Sequence, residues 1–166
     1  MNGRVRVVTL LLGAAGIASM LLLLGVADAA VSPGDTLTKA TLQRLYIDYL
    51  TSEGYRPTLD SDGDVTFKRQ GGSYFIGVAA DDLNFFRVVF PNFWPIESAA
   101  ERSKVLVAAD FSNAKSKVCK VYTTRNNVWA VIELYVASPA DFEKVFPRAM
   151  SGLDNGVANF ARKMRE

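Results

Sequence analysis

From Thr38 onward the apolar residues follow two spacings that alternate along the chain. Leu42, Leu45, Tyr46, Tyr49 and Leu50 recur at steps of three and four, the period of a helix with one buried stripe, with Thr38 placed to cap it and Gly54 to end it. Tyr55 to Leu59 reads as at most a short edge strand, because Pro57 has no N–H for a ladder. Asp62-Gly63, tolerant of positive φ, turns the chain into a strand in which Val65, Phe67 and Arg69 alternate with polar neighbours. Gly71-Gly72 makes a second turn into a strand over 73–79, and Asp81-Asp82 a third into one over 85–90, so three strands meander antiparallel. Pro91 and Pro95 bracket an aromatic loop, Asn92-Phe93-Trp94, after which Ser98 and Glu101 form the capping box of a helix running to about Asn113. Strands over 117–123 and 128–135 follow, joined by Arg125-Asn126-Asn127, whose asparagines suit a left-handed turn. Ser138 and Pro139 open a last helix with an apolar stripe from Phe142, Phe146 and Met150 through Leu153, Val157, Phe160 and Met164. Pro147 predicts a kink in it, or a first segment that stops at Phe146.

The order is therefore α-β-β-β-α-β-β-α, an α+β fold whose antiparallel sheet carries its helices mainly on one face. The strand pattern is too apolar for that to be the whole account. In the last strand Val128, Ala130, Ile132 and Leu134 form one side, yet Trp129, Val131 and Tyr135 lie on the other, with only Asn127 and Glu133 polar. Phe75 and Val89 repeat the pattern in their own strands. Three helices on one face leave an aromatic surface on the other, which calls either for a partner or for the linker or the kinked last helix to fold across it. The candidate partner-binding residues are Phe75, Trp129 and Tyr135, together with Phe93 and Trp94, whose flanking prolines lower the entropy lost when an aromatic docks.

Residues 1–30 read as a signal peptide: Arg4 and Arg6 open it, Val7 to Val26 carry no charge, and Ala27-Asp28-Ala29 offers small residues for cleavage. The expected location is periplasmic or secreted. The alternative is an uncleaved inner-membrane anchor over residues 7–26, since that run is close to the ~20 residues that span a bilayer. A linker over 31–37 and a single domain over 38–166 complete the plan. Lys+Arg and Asp+Glu number 19 and 17, and the basic residues are interspersed with acidic ones, so no nucleic-acid partner is expected.

No histidine is present in the 166 residues, which removes the usual neutral-pH base and the commonest zinc ligand. Cys119, the only cysteine, cannot form an internal disulfide and sits in a strand pattern that suits a packed thiol. Asp60-Ser61-Asp62-Gly63-Asp64 has its glycine two positions early for a calcium loop, and Gly71 stands where that loop needs a glutamate. Asp81 and Asp82 are adjacent turn residues rather than a pair held across a pocket. No catalytic residue, cofactor or metal site is expected, and the chain reads as a non-enzyme.

Five runs carry a resemblance: Glu53-Gly54-Tyr55-Arg56-Pro57, Asp62-Gly63-Asp64-Val65, Phe85-Phe86-Arg87, Pro91-Asn92-Phe93-Trp94-Pro95-Ile96 and Val145-Phe146-Pro147-Arg148-Ala149. Together they resemble the YbjN-like family, over roughly Leu42 to the C-terminus. The resemblance implies a fold similar to type III secretion chaperones and, loosely, a role in sensory transduction; it implies no catalytic or ligand residues. Secretion chaperones act in the cytoplasm, whereas this chain carries an export signal. The expected function is thus an exported, non-catalytic protein-binding module of the cell envelope, chaperone-like or a regulatory adaptor, binding another protein or itself. The alternative is a periplasmic carrier or sensor of a small apolar ligand held among the aromatics.

Overall fold

The computed structural model describes residues 37–166. The expected signal peptide and the linker up to Thr36 lie outside them. Helix α1 (Lys39–Ser52) begins with a reciprocal cap, in which the Thr38 hydroxyl accepts from Thr41 N–H and the Thr41 hydroxyl accepts from Thr38 N–H. It ends where Gly54 takes φ +84°, a conformation that costs glycine little. Leu42, Tyr46 and Leu50, one helical turn apart, are its buried stripe.

Four strands follow: β1 (Thr58–Leu59), β2 (Val65–Arg69), β3 (Gly72–Gly77) and β4 (Phe85–Pro95). Helix α2 (Ala99–Lys115) then leads to β5 (Cys119–Thr124) and β6 (Asn127–Tyr135), and a short 3-10 turn (Pro139–Asp141) precedes α3 (Phe142–Met164). The sheet order is β1-β2-β3-β4-β6-β5, antiparallel throughout. Helix α2 thus carries the chain past β4 to the far edge, and β6 returns between them. The expected α+β class and element order hold, with β1 as the short edge strand that Pro57 allowed.

Four local expectations need correction. With Arg69 paired to Gly72, the two-residue turn is Gln70-Gly71, at φ 49° and 80°, so Gly72 belongs to the strand. The left-handed residue between β5 and β6 is Arg125, at φ 55°, rather than an asparagine. Glu101 does not reach back to the N–H of its cap residue Ser98: its carboxylate accepts from Glu97 N–H at 2.7 Å and from the Trp94 indole at 3.0 Å. No first segment of α3 stops at Phe146: the helix continues across Pro147, which stands on the exposed side, where water can satisfy the backbone groups the ring leaves free.

All three helices pack on one face of the sheet. Tyr46 of α1 meets Phe142 of α3 edge-on at 4.7 Å between ring centroids, Phe86 of β4 lies 5.8 Å from Phe142, and Phe67 of β2 lies 5.9 Å from Phe146. Arg69 at the end of β2 grips Asp154 of α3 through two 2.8 Å bonds, a fork-to-fork pair that fixes the helix against the strand end. Farther along α3, Gly156 presses on Cys119 of β5 while its carbonyl accepts from the buried Ser112 hydroxyl of α2 at 2.7 Å. The edge of β5 is closed by a side chain: the Asn113 amide accepts from Val121 N–H at 2.7 Å and donates to Val121 C=O at 3.1 Å, standing in for a neighbouring strand. Among the described residues no helix is long and apolar enough to cross a membrane.

Candidate functional site

No described helix covers the other face of the sheet. Alternation along the strands puts Phe75, Phe85, Arg87, Val89, Tyr122, Trp129, Val131, Glu133 and Tyr135 there, on four adjacent strands. Helix α3, one of the two elements expected as a cover, lies instead with α1 and α2 in the single core cluster.

The face covers much of itself. Val89 and Val131 are cross-strand partners at its centre, lie outside the helix-side core cluster, and are still 0% exposed. The side chains around them form the roof. Phase by phase along the register, Phe75 pairs with Val89 and Lys120 with Val131, while Trp129 pairs with Tyr122. The Phe75 and Trp129 rings meet edge-on at 6.0 Å, and Tyr122 and Trp129 lie 6.4 Å apart. The Arg87 guanidinium sits 5.9 Å from the Phe75 ring centroid and donates to the Tyr122 hydroxyl at 3.3 Å. Glu133 receives both Arg87, at 3.4 Å, and Lys120.

The Trp129 orientation depends on a bulge in β4. Between Phe90, paired with Ala130, and Trp94, paired with Val128, three residues of β4 oppose Trp129 alone. Asn92, inside that bulge at φ 52°, accepts from the Trp129 indole N–H at 3.0 Å. The segment expected as an aromatic loop is thus a bulged strand, and its asparagine pins the tryptophan of the neighbouring strand.

The five residues singled out from sequence separate into three places. Phe75 and Trp129 belong to the central cluster. Tyr135, 79% exposed, lies tilted against Phe85, 5.6 Å between ring centroids, at the end of β6. Phe93 and Trp94 leave this face: the bulge turns both rings to the helix side, where they meet Phe160 of α3 at 5.2 and 5.6 Å. The Trp94 indole is already bonded to Glu101, and the Glu97 N–H together with that indole holds the Glu101 carboxyl below its ordinary range. Phe93 and Trp94 therefore join helix to sheet and are no part of an interface on the open face. Arg87, Tyr122 and Asn92 were missed as surface residues; for Arg87 and Tyr122 the signal lay in their two-residue spacing from Phe85, Val89 and Lys120, whereas Asn92 sits in the bulge, where that spacing breaks.

The chain matches no protein-family model and no curated protein. What can be said of the chemistry comes from the residues themselves. Among the described residues no three His, Cys, Asp or Glu side chains gather as metal ligands do.

Cys119 is buried against Gly156, and burial pushes its thiol from an ordinary 9.0 to about 11. The fold therefore tolerates only the neutral thiol, while the unfolded chain ionises it near 9.0. Stability held below that pH should fall as pH climbs from 9.0 towards 11, at roughly 1.4 kcal/mol per pH unit for one proton. Burial also raises the Tyr46 phenol above its ordinary 10.0, which adds a loss of the same sign at higher pH. Urea midpoints between pH 7 and 10.5 measure this; Cys119→Ala should flatten the first part of the fall, and an unchanged slope would show that the thiol is not its source.

Proposed function

We propose that this chain is an exported, non-catalytic protein-binding module of the cell envelope that docks its partner on the open face of the sheet. The observation that carries the reading is the ordered cluster of Arg87, Phe75, Trp129 and Tyr122 on a face that no described helix covers. Arginine, tryptophan and tyrosine are the side chains that dominate binding energy at protein interfaces. Here they are held by one another and by Asn92 before any partner arrives, so little side-chain entropy remains to be lost on docking.

Charge favours one kind of occupant. Among the described residues, Lys68, Arg87 and Lys120 share the face with two carboxylates: Glu133, which two of those cations already engage, and Asp64 at its margin beside Phe85 and Arg87, which accepts from Val78 N–H. A second copy laid face to face would bring cations against cations. An acidic protein segment with apolar side chains, reaching Phe75 and Trp129 while pairing with Lys68 and Lys120, meets no such repulsion. The proposal extends to the YbjN-like kinship. The runs that carry it sit at the end of α1, the turn into β2, the start and bulge of β4, and the first half of α3, and they take in Arg87 and Asn92 of the aromatic face as well as core residues.

The test is photo-crosslinking in the native host from position 75, followed by sequencing of the captured peptide. The expected peptide is foreign and rich in Asp and Glu, and Trp129→Glu should lower its yield about thirtyfold, the equivalent of about 2 kcal/mol at a binding hot spot. Capture of the chain's own peptide would replace this reading by a homodimer. Undiminished capture by a Trp129→Glu protein of unchanged melting temperature would remove the surface altogether.

A further inference from the structure

A second surface, on the helix side and remote from the aromatic cluster, has the lining of a ligand site. Where α3 crosses the ends of β5 and β6, a groove of about 620 Å³ remains open, within the range of small-molecule sites. Its floor is apolar: Val118, Leu134, Val145, Ala149 and Gly152. Val118 is 45% exposed there, an apolar side chain left in water immediately before the strand that buries Cys119. A side chain at Gly152 would place its Cβ 3.3 Å from Val118 and 3.5 Å from Ile132, so glycine keeps this wall low.

The rim is cationic. Lys115 and Lys117, from the end of α2 and the link to β5, and Arg148 of α3 line the same groove. None of the three is in an ion pair among the described residues, whereas Arg69, Arg87, Lys120, Lys144 and Lys163 all are. The remaining polar lining, Ser151 and Asn155, is uncharged, and among the described residues no carboxylate lines the groove. An apolar floor with three unpaired cations and no anion is complementary to a molecule that is apolar along its length and anionic at one end.

We infer that the groove between α3 and the β5–β6 edge binds a single-chain anionic amphiphile, with the acyl chain on Val118, Leu134 and Val145 and the carboxylate among Lys115, Lys117 and Arg148. A long-chain fatty acid is the ligand class that fits. Chain burial supplies the affinity, and the cations select the charged head over a neutral one.

The experiment is calorimetric titration of the full chain with oleate below its critical micelle concentration, with oleyl alcohol and acetate as probes that lack the charge and the chain. Oleate should bind with one site, oleyl alcohol about tenfold or more weakly, and acetate not measurably, as a loss of one charge-assisted contact predicts. Arg148→Glu and Ser151→Trp change exposed side chains, so the fold should survive both. The first reverses charge at the rim and the second fills the groove, and each should weaken oleate at least about tenfold. Equal affinity for oleate and oleyl alcohol, or oleate binding indifferent to both substitutions, would overturn the inference. Because Arg148 and Ser151 lie on the helix side, loss of oleate binding alone leaves peptide capture on the open face intact, and the two readings fail separately.

Discussion

Phe142→Ala is expected to destabilise the fold by about 3–5 kcal/mol, the range for removing a buried aromatic side chain. Phe142 is 0% exposed and is the ring on which three elements converge: Tyr46 at 4.7 Å and Tyr49 at 5.0 Å from α1, Phe86 at 5.8 Å from β4, and Phe146 at 6.5 Å one turn along α3. Rings in these edge-on and tilted arrangements cannot slide into the vacated space without losing their own contacts, so the cavity persists. Typical domains hold only about 5–15 kcal/mol in total, so the variant should stand near the edge of unfolding at 37 °C. Urea denaturation measures it: the midpoint should drop with the slope unchanged. A change under about 1 kcal/mol, the level of an ordinary surface substitution, would mean that α3 is not anchored through this ring.

Gly156→Ala is the second large effect, and it acts by excess rather than by loss. A Cβ at this position would fall 2.3 Å from the Cys119 sulfur and 2.8 Å from its Cβ, inside van der Waals contact with a strand residue. The helix cannot simply retreat, because the Gly156 carbonyl holds the buried Ser112 hydroxyl, whose bond would be lost. Overpacking of this kind costs about 1–3 kcal/mol. Cys119→Ala in the same chain removes the sulfur and should recover part of the loss, since the 2.8 Å approach to Cβ remains. Urea denaturation of the four members of that cycle should give a coupling of roughly 1 kcal/mol or more, as for residues in direct contact. Additivity of the two substitutions would show that the close approach of position 156 to Cys119 is not the source of the loss.

Periodicity read off the chain was enough for element order, and the reason is local. The three- and four-residue steps of Leu42, Tyr46 and Leu50, or of Phe142, Phe146, Met150 and Leu153, specify a helix because each step returns a side chain to one stripe, whatever it packs against. The alternation in β6 likewise specified two faces, and Val131 and Trp129 announced that the second was apolar too, without saying what would cover it. Gly54 stopped α1 where a positive φ was needed.

Legibility failed where two distant segments compete for the same atoms. Whether Gly71-Gly72 or Gln70-Gly71 forms the turn depends on the register of β2 against β3, which a one-residue slip would reverse. Glu101 satisfies a capping box on paper, but the Trp94 indole and Glu97 N–H draw its carboxylate away from the cap. Phe93 and Trp94 looked alike with Phe75 and Trp129 as docking residues; the β4 bulge sent the first pair to Phe160 and used Asn92 to fix Trp129 on the opposite side.

The sequence by itself determined the α+β class, the order of elements and the presence of a second apolar face, because all three follow from side-chain spacing within single segments. The tertiary structure alone decided which side α3 takes, that Arg87 and Tyr122 complete the Trp129 cluster, and that Lys115, Lys117 and Arg148 surround one groove. Those residues lie on separate elements, and only the packing of α3 and the insertion of β6 between β4 and β5 bring their side chains within reach of one another.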